Sequence, residues 1–296
     1  MNTDPSLKLS LGGHIVAVEG PEAVDFALQE SFRRFAADGE PQWTVRFGCP
    51  LEAIPASSTL LSSFVFEEIN SRCNFSVRGD YYYYSMFSAS GDKTLLVMRH
   101  RRGSSLVEST SVDEPDALRF SLWFAVGMLT TPSLLTFIHS STVVHRGYAF
   151  LFLGESGTGK STHSRLWLNN IPDTHLLNDD SPLIEVRPGS KRAVVHGSPW
   201  SGKTPCFVPR TFPIAAIVRL SQAPHNAIRR LSTPEAFAAL QPSLPPALVQ
   251  DDYYSDKIVD IISEMITVVP FFHLECLPDA DAARVCYNAV FPHPHA

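Results

Sequence analysis

Residues 148–169 read YAFLFLGESGTGKSTHSRLWLN, and the rest of the chain is read outward from them. Tyr148 to Leu153 is a run of β-formers. Gly154, Glu155, Ser156, Gly157, Thr158 and Gly159 make a glycine-rich turn, and Lys160, Ser161 and Thr162 open a short helical pattern that carries Leu166 and Trp167. This is G-x-x-x-x-G-K-[ST] in a strand–loop–helix setting, the pattern of a phosphate-cradling P-loop. Glycines let successive backbone N–H groups turn inward, and the first turn of the helix adds unpaired donors and the positive end of its dipole. In such a loop Lys160 reaches the outer phosphates and the Ser161 hydroxyl holds Mg²⁺, so residues 154–162 are the expected nucleotide site.

Downstream, His175-Leu-Leu-Asn-Asp-Asp-Ser-Pro reads as a short strand ending at Asp179 and Asp180. An apolar strand capped by acids after a P-loop has the logic of a metal-holding carboxylate site. Two adjacent carboxylates allow one to sit on Mg²⁺, here Asp180, and one to accept a hydroxyl proton, here Asp179. Residues 197–204, GSPWSGKT, match the same glycine–lysine spacing. Pro205, Pro209 and Pro213 forbid a regular helix after Lys203, so this segment is rejected as a second P-loop. His196, Trp200, Lys203 and Arg210 are then expected as loop residues facing substrate or nucleotide.

Before the glycine loop, Leu134–Val144 reads as a strand containing His139, joined to Tyr148–Leu153 by a turn at Arg146-Gly147. The first hundred residues look β-rich. They carry a hairpin over Leu7–Val18, a helix from Pro21 to about Phe35, a strand at Trp43–Phe47, and a meander through Asn74–Val77, Tyr81–Phe87 and Thr94–Arg99. The tyrosines at 81–84 alternate at period two, which makes a half-buried strand rather than a stacking platform. Asp113-Glu-Pro-Asp marks a helix entry, and Ala117–Leu129 is apolar enough for a core helix. After the acid pair come strands at Ile214–Leu220, Ile228–Leu231 and Phe271–Cys276, with helices at Pro234–Leu240, Pro246–Val269 and Ala280–Val290. The expected division is a β-rich N-terminal domain, 1–112, suited to substrate recognition, and a P-loop domain, 113–296.

Net charge is −6 with no long basic run, which argues against a nucleic-acid surface. Five cysteines, with no C-x-x-C, read as reduced thiols. No signal pattern opens the chain and no apolar run reaches about 18 residues. A cytoplasmic protein without membrane or nucleic-acid partners is expected, and a homo-oligomer is compatible with the sequence.

The order His139, hairpin, GESGTGKST, then NDD resembles the HPr kinase/phosphorylase fold, which is similar to the core of phosphoenolpyruvate carboxykinase. His139 precedes Gly154 by fifteen residues, the spacing that family carries, and Asp179 and Asp180 follow Lys160 at nineteen and twenty. The match covers 134–186 well and 187–276 in outline. The family's Met/Ile-Arg-Gly-rich signature downstream of its Asp pair has no counterpart here, nor does its basic C-terminal segment. The resemblance therefore implies an α/β fold with a P-loop core of this type and an ATP- and Mg²⁺-dependent kinase of a serine-like hydroxyl on a protein, peptide or small molecule. His139, Lys160, Asp179 and Asp180 are its catalytic candidates, with Ser161 and Asp180 on the metal. The resemblance does not imply HPr as the substrate. A carboxykinase-like enzyme and a nucleotide-binding regulatory module are the alternatives.

Overall fold

The computed structural model describes residues 5–66, 70–187 and 189–291. It is a mixed α/β chain in two compact units, Met1–Ser133 with Ala247–Ser255, and Leu134–Pro246 with Asp256–Ala296.

The first unit is organised on an eight-stranded sheet. Strands β1 (Ser6–Leu11) and β2 (His14–Glu19) form the expected hairpin, with Gly12 and Gly13 at positive φ in its turn. The helix expected from Pro21 to Phe35 is two short ones, α1 (Ala23–Leu28) and α2 (Glu30–Arg33), because Gln29 is extended. Phe26 and Phe32 still meet across that break, ring centroids 4.7 Å apart. Strand β3 (Trp43–Arg46) is followed by a meander of β4 (Thr59–Phe66), β5 (Ser71–Arg78), β6 (Tyr81–Phe87) and β7 (Thr94–Arg101). Strand β8 (Leu106–Ser109) then inserts parallel to β3. The tyrosines alternate as expected: Tyr82 and Tyr84 are buried, while Tyr81 is exposed.

Helix α3 (Pro115–Thr130) starts with Pro115 in its first turn, where the missing N–H costs nothing. Phe124 stacks on Tyr84 at 4.3 Å and meets Phe75 edge-on at 5.4 Å. Those contacts place α3 in the first compact unit, which runs from Met1 to Ser133. Residues 247–255 return to the same unit because the Tyr82 hydroxyl donates to Asp251 at 2.6 Å and the Tyr254 ring lies 5.2 Å from that of Tyr82.

The second unit holds β9 (Leu135–Phe137), β10 (Ser140–His145), β11 (Tyr148–Leu153), α4 (Lys160–Asn170), β12 (Thr174–Asp180), β13 (Leu183–Val186), β14 (Ala193–His196), β15 (Thr211–Gln222) and β16 (Ala227–Arg230). Helices α5 (Thr233–Leu240) and α6 (Asp252–Val268, in this unit from Asp256 onward), strand β17 (Phe271–Cys276) and helix α7 (Ala280–Val290) follow. The path is β12-β10-β11-β15-β14-β13-β9, with β17 beside β15 and β16 beside β17. Strand β11 is parallel to β15, and β15 to β17. Such strands are covered on both faces and read as continuous apolar runs, as YAFLFL does. Phe150, Phe152, Val218, Leu274 and the α4 side chain of Trp167 form one fully buried cluster with Ala283 and Cys286 of α7. Each large side chain buried there is worth about 1.5–3 kcal/mol.

One expected strand is corrected. Residues 134–144 make two strands, because β9 pairs with β13 while β10 pairs with β11 and β12. Ile138 and His139 bridge that change of partners, their N–H groups leaving the ladder for Pro182 O at 3.0 Å and Ser243 O at 2.7 Å. His139 therefore sits in a link between strands and not on one. Helix α6 also begins later than expected, at Asp252 and not Pro246. Among the described residues, no helix is long and apolar enough to cross a membrane.

Candidate functional site

Strand β11 delivers the chain into Gly154, and the loop closes tightly on itself. Thr158 donates to Glu155 O from its N–H at 3.2 Å and from Oγ1 at 2.7 Å. Gly157 and Gly159 stand at φ +80° and +110°, where a side chain would be strained. Gly159 is the N-cap of α4, no side chain caps that end, and its first turn carries no acid. The first N–H groups of a helix have no partner within it, so this end offers donors and a positive dipole end to an anion. Strand β15 steadies the loop from one side, with Gln222 Nε2 3.3 Å from Gly157 O and Arg219 3.9 Å from Glu155.

Lys160, expected to point at a ligand, is folded into its own loop. Its ammonium donates to Gly154 O at 2.8 Å and Glu155 O at 3.3 Å. Burial lowers its pKa, and the charges of Asp180 and Asp179 work against that shift. Ser161 and Thr162 follow, half-buried. The next turn is anchored inward. Ser164 Oγ lies 2.6 Å from Ser141 Oγ, and His163 accepts from Trp167 Nε1 at 3.1 Å. Burial drives the His163 pKa down to about 4.

The acid pair ends β12, two strands from β11. The β10–β12 register sets Ser140 opposite Asp180, and so brings His139 to the same edge. His139 Nε2 lies 3.6 Å from Asp180 Oδ1. Burial and the Lys160 charge lower the His139 pKa, and Asp180 opposes them. Lys160, His139 and Asp180 thus share one electrostatic neighbourhood. The two carboxylates differ in access: Asp179 is 4% exposed, whereas the Asp180 side chain is 43% exposed. Asp180 also holds φ +155°, a conformation L residues rarely adopt.

The segment 197–204 is not followed by a helix. Two of the residues expected to face a ligand are core instead: His196, just before the segment, and Trp200, within it. His196 is 2% exposed, bonded through Nε2 to Glu185 at 3.1 Å and through Nδ1 to Thr211 at 2.8 Å. Burial pushes Glu185 up, but His196 and Arg187 outweigh it and hold the carboxyl at about 2. Trp200 is buried edge-on to Phe137 at 5.2 Å. Both are large and partly apolar: His196 ends β14 and is held by Glu185 of β13 and Thr211 of β15, and Trp200 packs on Phe137 of β9. Lys203 and Arg210 are exposed, with the Arg210 guanidinium 4.9 Å above the Phe212 ring. What the sequence reading missed is where this segment docks: Ser201 bridges Asp180 and the Gly202 N–H donates to Asp179 O at 2.6 Å. The only signal was a glycine–lysine match in the wrong context.

No protein-family model and no curated protein matches the chain. Among solved structures it is similar to the HPr(Ser) kinase/phosphatase from Coxiella burnetii, with 12% identity and a TM-score of 0.30 over 52% of this chain and 93% of that one. So weak a likeness to a kinase carries no argument, and activity has to be read from the chain's own residues.

Proposed function

We propose that the chain is an ATP-dependent kinase that transfers the γ-phosphate to a serine-like hydroxyl of a protein, peptide or small molecule. One observation carries the reading: an uncapped helix start behind a glycine loop, whose lysine feels the charge of Asp179 and Asp180. The loop fits a polyphosphate, since its left-handed glycines and first-turn N–H groups leave room and donors for one. Lys160 exchanges its two loop carbonyls for phosphate oxygens. Ser161 and Asp180 would hold Mg²⁺, which supplies charge neutralisation across the phosphates. Among the described residues no three His, Cys, Asp or Glu side chains gather around a cation. A hydroxyl and one carboxylate, completed by phosphate and water oxygens, are what a nucleotide-bound Mg²⁺ takes from a protein.

In the transfer, the bond from the γ-phosphorus to its bridging oxygen breaks and a bond to the acceptor oxygen forms. The acceptor proton passes to a carboxylate of the pair, and ADP leaves. Asp179 as base must bring a buried carboxylate to the acceptor, whereas Asp180, with His139 beside it, is already accessible. The transition state is loose, so most of the rate comes from positioning and from charge on the phosphates rather than from the base. The test is mass spectrometry of candidate acceptors incubated with the protein and γ-labelled ATP. Label on a hydroxyl supports the kinase. ATP binding with no transfer to any acceptor supports the regulatory module instead.

A further inference from the structure

We propose that Asn178 is a positioning residue for the acid pair and that the segment 197–204 is the clasp through which it acts. The inference rests on the phosphotransfer reading above. Asn178 precedes the pair on β12 and is 0% exposed. Its Nδ2 donates to Trp200 O at 2.9 Å and lies 3.4 and 3.3 Å from Ser198 O and Oγ, while Oδ1 accepts from the Ser181 N–H at 2.9 Å. One amide therefore joins both sides of the acid pair to one segment.

The segment returns the contact twice. Ser198 Oγ donates to Ser181 O at 2.6 Å, and the Gly202 N–H donates to Asp179 O at 2.6 Å. Gly202 has no room for a side chain, since a Cβ there would lie 2.8 Å from Asp179 O and 3.2 Å from Asp180 Cβ. Its small size lets the segment close over the backbone of the pair and leave the Asp180 carboxylate accessible. Asp180 needs such a restraint, because its φ of +155° persists only where the surroundings hold it. The carboxylates are aimed by their backbone, and the clasp fixes that backbone.

The test compares wild type, Asn178→Ala and Gly202→Ala by calorimetric ATP titration with and without Mg²⁺, and by single-turnover transfer. The clasp predicts that ATP affinity without Mg²⁺ stays within about twofold, since the glycine loop is untouched. It predicts that the Mg²⁺ needed for half-maximal effect rises about 10-fold or more and that transfer slows about 10–100-fold, the usual loss when a residue orienting a metal ligand is removed. Folded variants with the wild-type Mg²⁺ response and rate would reduce Asn178 to a structural role and overturn the inference. Should Asn178→Ala fail to fold, Gly202→Ala, at an exposed position, decides alone. A wild-type protein whose ATP binding ignores Mg²⁺ and which transfers nothing would sink the kinase reading itself, a separate outcome.

Discussion

Gly154–Ser161 and Gly197–Thr204 share one spacing of glycine, lysine and hydroxyl, and they do different things. In the first, Gly157 and Gly159 are glycines for their φ, with nothing within 4 Å of where a Cβ would stand. In the second, Gly197 and Gly202 are glycines for their size: a Cβ would run into Val208 O at one and Asp179 O at the other. Lys160 is buried and held by its loop, whereas Lys203 is exposed. The residues after the lysine decide between the two. STHSRLW continues as a helix and presents its open end, while TPCFVPR cannot. A motif match specifies where glycines fall, and only the flanking chain says why they are there.

The sharpest way to break this comparison is through the acid pair, which both segments address. Asp179→Asn and Asp180→Asn should each lower single-turnover transfer by roughly 10²–10⁴ at nearly unchanged nucleotide affinity. Loss of Asp180 should also weaken the Mg²⁺ response. Wild-type rates in both variants across a Mg²⁺ titration would remove the pair from the mechanism and leave the first segment as a binding loop alone.

A second prediction concerns the helix that only the first segment possesses. His163 is neutral in the folded chain, with its pKa lowered from 6.5 to about 4 by burial. The unfolded chain takes up that proton near pH 6.5 and the folded chain does not. The stability it contributes is therefore whole above pH 6.5 and is lost as pH falls toward 4, by about 2–3 kcal/mol. Denaturation curves of wild type and His163→Gln across that window should diverge, the variant being flatter. Parallel curves would refute the assignment.

The smallest effect separates the two reasons for glycine. At Gly157, φ +80° penalises alanine by about 1–2 kcal/mol, and asparagine, which tolerates left-handed backbone, should recover part of that. At Gly202 the order should reverse, asparagine being worse than alanine, because size is what the site rejects. Melting temperatures giving one order at both positions would mean that the two loops use glycine alike.

How much of this was legible depended on distance along the chain. The strand, glycine loop and helix of 148–169 are a local pattern, and so are the β1–β2 hairpin and the tyrosine alternation of β6; all three read directly. The break at Ile138–His139 did not, because the apolar run through it is continuous and the change of strand partner is set by β13 and β12, far downstream. Strands β4 and β8 were missed. TLLSSFVF lies next to a loop rich in Pro and Ser, and LVES is too short to show a period. The helix at 21–35 failed at Gln29, where packing of Phe26 on Phe32 overrides a weak helical pattern. In the candidate site, Lys160 and the acid pair were named from spacing. The docking of 197–204 onto that pair, and with it Asn178, rests on contacts between the end of β12 and a loop that lies beyond β13 and β14, which no local pattern encodes.

The central claim is that residues 154–162, and not 197–204, take the nucleotide, and calorimetric titration of Mg²⁺–ATP into Lys160→Ala and Lys203→Ala tests it most directly. Lys160→Ala should lose at least tenfold in affinity, about 1.4 kcal/mol or more, while Lys203→Ala should stay within about twofold of wild type. Loss of binding in Lys203→Ala with Lys160→Ala unchanged would contradict the account.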